Sequence, residues 1–300
     1  MVHGRRWIKR LGIALVGLVA AAAAALVVAA QLGERKMQRR IDVPVTAVAA
    51  RGDPQSIERG GYLYRSRGCM DCHGADGGGK VVVDDGNGLL VKAPDITRRP
   101  DGITAEYSDL DWTRTIRHGI KPDGRPVLIM PSEDYNRLTD QDLGGLIGYL
   151  RQMPPAQGGP AIVQLPMPVK ALYAIGAIDD AAGKIDHRLP PAQPVPEGVT
   201  VEHGAYVANA CIGCHGPRLE GGRIPGSPPD WPPAADLRPT PNGPMRNYAD
   251  AKAFGAMLKT GKRPDGSDVS TVMPFLSLKE MKDTDVQALF LYLRGLRAGG

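Results

Sequence analysis

Cys69-Met70-Asp71-Cys72-His73 and Cys211-Ile212-Gly213-Cys214-His215 hold all 4 cysteines of this 300-residue chain. Both read C-x-x-C-H. Two thiols three positions apart stand about one helical turn apart. That spacing lets them add to the two vinyl groups of one porphyrin, and the histidine that follows points its imidazole at the iron from the same side. The pattern is the c-type haem attachment signal. It predicts two covalently bound haem c groups, attached through Cys69, Cys72, Cys211 and Cys214, with His73 and His215 as axial iron ligands. A four-cysteine zinc site fits poorly, because 138 residues separate the two pairs and zinc needs no histidine directly after each pair. The glycine-rich flanks also lack the strand-helix setting of a thioredoxin-like redox pair.

Working outward, the two settings repeat. Asp140-Gln141-Asp142-Leu143 with Tyr149-Leu150-Arg151 matches Asp283-Thr284-Asp285-Val286 with Tyr292-Leu293-Arg294. Pro122-Asp123-Gly124 matches Pro264-Asp265-Gly266, and Met130-Pro131 matches Met273-Pro274. Gly60-Gly61-Tyr62-Leu63 resembles Gly204-Ala205-Tyr206-Val207. So long a period indicates duplicated domains rather than a solenoid. Each closing segment carries an apolar stripe at i, i+3, i+4, i+7: Leu143, Leu146, Ile147 and Leu150, then Val286, Leu289, Phe290 and Leu293. These stripes are expected to pack on the helix carrying Tyr62 or Tyr206 of the same domain. Thr139 or Asp140 is the expected cap of the first helix and Asp283 of the second. The segment 154–196 between the repeats is rich in Pro and Gly, and its apolar stretch Val169–Ile178 suggests an ordered wrap packed on a domain.

A haem iron with one histidine keeps an open face. A thioether there closes the iron and raises its potential, which suits electron transfer. Met130 lies 57 residues after His73 and Met273 lies 58 after His215, both just before a proline. Their paired positions nominate them over the ordinary role of methionine as core filler. Met70, Met153 and Met167 are the rivals in the first domain, and Met245, Met257 and Met281 in the second. His118 has no histidine counterpart at Thr260-Gly261 and reads as a surface or structural residue. His187 has no derivable role, and His203 is expected to be exposed.

The amino terminus differs from the rest. Leu11 to Leu32 is uncharged and almost wholly apolar, long enough as a helix to span about 33 Å, close to a bilayer core. It reads as a retained membrane anchor, with a cleaved signal peptide as the competing reading because Val28-Ala29-Ala30 offers a small-residue cleavage site. Basic residues flank it on both sides, so charge does not orient it. The formal net charge of +5 also belongs here: residues 1–40 hold eight basic residues against Glu34. Of the 37 basic and 32 acidic residues, 29 and 31 remain for residues 41–300, a net −2. A nucleic-acid partner is therefore excluded despite the basic total. The chain has only 3 Phe, 3 Trp and 9 Tyr, so something else must fill much of the core, and a haem in each domain would. With 38 Gly and 27 Pro, short helices joined by ordered loops are expected rather than a large sheet.

These motifs resemble class I cytochrome c domains, and more closely the membrane-bound multihaem cytochrome subunits of bacterial alcohol, aldehyde or gluconate dehydrogenases. The likeness covers about residues 57–153 and 199–296. It is carried by the pentads, Ala93-Pro94-Asp95-Ile96-Thr97, Trp112, Arg117-His118-Gly119, the Pro-Asp-Gly loops, the Met-Pro pairs and the closing helices. The second domain departs in its Pro- and Gly-rich stretch Leu219–Asn242, and the chain has two haem motifs where those subunits usually carry three. The resemblance implies an all-α fold: an N-terminal transmembrane helix (1–40), cytochrome c domain 1 (41–153), a connector (154–196) and cytochrome c domain 2 (197–300). It also implies haem domains on the periplasmic side of the cytoplasmic membrane. The expected function is single-electron transfer from a dehydrogenase or quinol-oxidising donor to a terminal oxidase or soluble carrier, with no catalysis by the chain itself. The competing class is a dihaem peroxidase or sulfur-compound oxidase, which needs a vacant axial site that the paired Met-Pro signals argue against.

Overall fold

The computed structural model describes residues 2–228, 230–241 and 243–296, with only the backbone of residues 2–6. The Arg5 and Arg6 part of the basic flank, and the last four residues of the second expected domain, fall outside the described side chains. The architecture is mostly helical. Helix α1 (Val2–Met37) leads into α2 (Pro54–Ser66), α3 (Cys69–His73), α4 (Asp109–His118), α5 (Ser132–Tyr135) and α6 (Asp140–Gln152). After the connector come α8 (Val201–Ala208), α9 (Ile212–His215), α10 (Ala251–Thr260), α11 (Phe275–Leu278) and α12 (Asp283–Gly295). The connector itself holds α7 (Met167–Ala174). One small antiparallel sheet, in the order β1 (Val81–Asp84), β2 (Leu90–Lys92), β3 (Ile162–Gln164), lies beside the first domain.

In each half the opening helix packs on the closing one, α2 on α6 and α8 on α12. Glycine permits the close crossing. A Cβ on Gly60 would stand 2.1 Å from the Gly145 carbonyl oxygen, and one on Gly204 would stand 2.0 Å from that of Ala288. The stripes read from the sequence form the cores. Leu143, Leu146, Ile147 and Leu150 join Tyr64, Trp112 and Ile116 in one cluster. Val286, Leu289 and Leu293 join Val207, Met245, Phe254 and Leu258 in the other. Thr139 is the N-cap of α6, its side chain accepting from the Asp142 N–H at 3.0 Å. Thr139→Ala should lower stability by about 1 kcal/mol, read as a lower melting temperature. The second cap differs from expectation: Lys282, not Asp283, is the N-cap of α12, without a side-chain bond. Its N–H donates to Tyr62 Oη of the other domain at 3.1 Å, as the Thr139 N–H does to Tyr206 Oη at 3.3 Å.

The connector is ordered, and it lies on domain 1 and on α1. β3 pairs with β2, the Gly158 N–H donates to Asp95, and the Ala181 N–H donates to the Val127 carbonyl. The apolar stretch Val169–Ile178, expected on a domain, packs largely on the end of α1 instead. Arg39 pairs with Asp180, which also accepts from Tyr173 Oη, and the Lys36 ammonium donates to the Tyr173 carbonyl at 2.8 Å.

The two domains meet face to face through reciprocal contacts. Tyr62 Oη donates to Asp285 at 2.6 Å, and Tyr206 Oη donates to Asp142 at 2.6 Å. Tyr206 accordingly packs against the core of domain 1. His203 corrects the sequence reading: it is 1% exposed, with Nε2 2.8 Å from Asp285. Asp285 also accepts from Arg67, which is itself buried. The Arg67 partnership has no mirror image, because Asn209 occupies the corresponding place before the second pentad.

Candidate functional site: two haem-attachment loops

The chain builds the same loop twice. In the first, Gly68 at φ +88° turns the backbone out of α2 into the single-turn helix α3, and Gly74 at φ +78° ends it. Only glycine adopts such angles without strain. In the second, a 3-10 turn over Asn209–Cys211 leads into α9, and Gly216 at φ +80° ends that. None of the four cysteines is in a disulfide. Burial pushes the Cys69 and Cys211 thiols up to about 12, so both are protonated at neutral pH.

Each histidine is oriented by a carbonyl. His73 Nδ1 lies 3.0 Å from the Pro94 oxygen, and His215 Nδ1 lies 2.7 Å from the Ala235 oxygen. A carbonyl only accepts, so Nδ1 carries the proton and Nε2 keeps its lone pair for a metal. Burial lowers both histidines from their ordinary value, against the opposing pull of these bonds, so the rings are neutral at pH 7. Two free thiols, a neutral imidazole with a free Nε2 and an adjoining apolar core suit a covalently attached haem in each domain.

Each nominated methionine packs on the same core as the pentad of its own domain. Met130 is half-buried and packs on the same core as Cys69 and Met70, while Met273 is half-buried on the core that includes Cys211 and Ile212. The prolines after them adopt one backbone conformation, φ −78°, ψ 68° at Pro131 and φ −80°, ψ 66° at Pro274. Of the rivals, Met153, Met245, Met257 and Met281 are buried core residues, and Met167 is exposed on α7, a helix that packs on α1 and not on a pentad.

The two attachment loops also bind each other's domain. Asp134, four residues after Met130, accepts from the Gly213 N–H of the second pentad at 2.6 Å. Ser277, four residues after Met273, donates to Asp71 of the first pentad. Sequence reasoning missed these four residues: positions 134 and 277 correspond in the repeat, but Asp and Ser share no visible signature. It also missed the Pro94 and Ala235 carbonyls, which carry no side-chain signal. His118 and His187 form a separate stacked pair, Nδ1 to Nδ1 3.0 Å, and His187 Nε2 lies 3.1 Å from the Ala182 carbonyl. His118 is buried and pushed down to about 4, by burial first and by its partner second. The pair fastens the connector to α4.

Comparison with known proteins agrees with this geometry. Residues 55–150 match the family model for cytochrome c oxidase, cbb3-type, subunit III, and residues 201–297 match that for cytochrome c. The chain is 28% identical over 278 residues to the fructose dehydrogenase cytochrome subunit of Gluconobacter japonicus, covering 85% of this chain and 55% of that one. It is 27% identical over 184 residues to the alcohol dehydrogenase (quinone) cytochrome c subunit of Gluconobacter oxydans, 57% of this chain and 37% of that one. It is 26% identical over 187 residues to the gluconate 2-dehydrogenase cytochrome c subunit of Pantoea cypripedii, 57% and 41% of the two chains. The chain thus spans about half the length of the curated relatives it matches, or less. With the attachment pentad, the oriented histidine and the family match found in both halves, the chain is built of two cytochrome c domains in tandem, each of the type that binds one haem c covalently.

Proposed function

We propose that the chain is the membrane-anchored electron-transfer subunit of a respiratory dehydrogenase system. It would accept single electrons from a dehydrogenase and pass them to a terminal oxidase or soluble carrier. The observation that carries this reading is the reciprocal meeting of the two attachment loops, with Asp134 on the second pentad and Ser277 on the first. Haem bound at each pentad supplies reversible one-electron chemistry. The residues of the chain supply the rest. Cys69 and Cys72, and Cys211 and Cys214, would tether the groups. His73 and His215 would each supply one iron ligand. Met130 and Met273 would supply the other and exclude small ligands. The interface holds the two pentads at a fixed spacing without a flexible hinge between them.

The reading of residues 1–40 as a retained anchor is supported by α1 itself. Residues 7–37 are long and apolar enough to cross a membrane, and the last turns of α1 are packed under α7 through Ala30 and Gly33. Cleavage after Ala30 would remove part of that packed face. The domains, taken as 41–153 and 197–300 around the connector 154–196, would then stand on the periplasmic side, where c-type haem is attached.

Two measurements test the reading. The reduced native protein should show no spectral change under carbon monoxide. Met130→Ala should open one of two sites and Met273→Ala the other, each giving about half the change seen in the double variant; ready binding by the native chain overturns the ligand set. From detergent-solubilised membranes the chain should co-purify with a dehydrogenase whose substrate reduces it. A chain that purifies alone, and that no dehydrogenase substrate reduces in its own membranes, overturns the proposed role.

A further inference from the structure

We infer that the connector helix α7, standing alongside α1, dips its first turn into the outer edge of the bilayer crossed by α1, so that the protein meets lipid at two places. The inference rests on the reading of α1 as a transmembrane anchor. The contacts of α7 fix its level. A Cβ on Gly33 would come within 2.2 Å of the Lys170 carbonyl oxygen, and the Lys170 ammonium reaches Glu34 at 2.6 Å. The Lys36 ammonium reaches the Tyr173 carbonyl at 2.8 Å. Residue 170 therefore stands beside 33 and residue 173 beside 36, and the two helices run in the same direction. Three residues before Lys170, Met167 is level with Ala30, inside the uncharged run that ends at Leu32. Leu172, level with Arg35, stands about 5 Å beyond Leu32, within a headgroup layer about 5–7 Å deep.

The face that α7 leaves uncovered is apolar. Met167 is 53% exposed and Leu172 43%. From residue 165 to 178 the single charge is Lys170, and it is paired with Glu34. A contiguous exposed patch of this kind marks an interaction surface. Its occupant follows from continuity: the exposed Val28 and Leu32 of α1 bracket the level of Met167, so the lipid that covers them also meets α7. Arg35 and Arg40, exposed on the same rim, are placed to meet anionic headgroups. Two contacts fix what one helix leaves free, the rotation and tilt of domain 1 against the membrane.

The test uses the full-length haem-loaded protein in vesicles of phosphatidylethanolamine and phosphatidylglycerol. Its native cysteines are consumed by the haem thioether bonds, so a single added cysteine is the only reactive thiol. The rate of alkylation by N-ethylmaleimide, which crosses bilayers, is compared for Met167→Cys, Leu172→Cys, Leu18→Cys in mid-span and Leu291→Cys on α12. Thiols at 167 and 172 should react at least about tenfold more slowly than the similarly exposed thiol at 291, because a non-aqueous setting suppresses the thiolate. Slow reaction at 18 with full reactivity at 167 and 172 overturns this inference and leaves the anchor intact. Fast reaction at 18 overturns the anchor reading and this inference with it. Protection at 167 and 172 that vanishes when the protein-to-lipid ratio is lowered to about one chain per vesicle would assign the patch to a second copy of the chain and overturn the lipid contact.

Discussion

Asp285→Asn is expected to lower stability by about 4 kcal/mol and to part the two domains. Asp285 is fully buried at the interface and is shared by three donors from both halves: Tyr62 Oη, the Arg67 guanidinium and His203 Nε2. The amide can still accept from one or two of these, but it leaves the buried Arg67 cation without a counter-charge, and an uncompensated buried charge is the costly outcome. The same cluster sets an acid limit. Burial pushes Asp285 up, but the Arg67 charge and the bonds from Arg67, Tyr62 and His203 more than offset this and hold it at about 2. A carboxylate held below its ordinary value contributes stability that is full above about pH 4 and is lost as pH falls toward 2. Asp142, held low mainly by Arg59 against its own burial, acts in the same direction. Small-angle scattering should show the domains separating in that acid window, and Asp285→Asn should already be separated at pH 7. A compact variant at pH 7 with native melting temperature would refute the assignment.

Gly60→Leu should be severely damaging to domain 1. The α2–α6 crossing brings the Gly145 carbonyl to 2.1 Å from where any Cβ would stand, and backbone cannot swing aside as a flexible side chain can. Overpacking of this kind costs about 3 kcal/mol or more, and the helices must separate to relieve it. The attachment loop follows directly from α2, so the haem content per chain should fall from two toward one in a pyridine haemochrome assay. Gly204→Leu should do the same to domain 2, where the Ala288 carbonyl is equally close. A Gly60→Leu protein with two haems and unchanged melting would show that the crossing is looser than these distances.

Much of this was legible in the sequence because the chemistry is local. C-x-x-C-H needs only five consecutive residues, and the stripes Leu143–Leu150 and Val286–Leu293 form cores because helical periodicity alone dictates which face is buried. The caps show the limit of that reasoning. Thr139 caps as read, but Lys282 stands at the equivalent place before α12, and an ammonium side chain has no acceptor to offer the first-turn N–H groups. The burial of His203 was hidden for a different reason: it depends on Asp285, which lies 82 residues away and arrives only when α8 and α12 pack. The packing of Val169–Ile178 on α1 was also hidden, since apolar composition says that a segment must be covered and not by what.

The exchange of tyrosines across the domain boundary has a consequence for origin. Tyr62 reaches Asp285 and Tyr206 reaches Asp142, so each half offers the same donor and the same acceptor to the other. Such reciprocity is the mark of an isologous contact, the kind two identical subunits make about a two-fold axis. A one-domain forebear bearing both residues would form a homodimer through this surface with no new invention. Fusing two such copies would turn an association that depends on concentration into an intramolecular one. It would also free the halves to diverge, as where Arg67 faces Asp285 on one side while Asn209 stands in its place on the other.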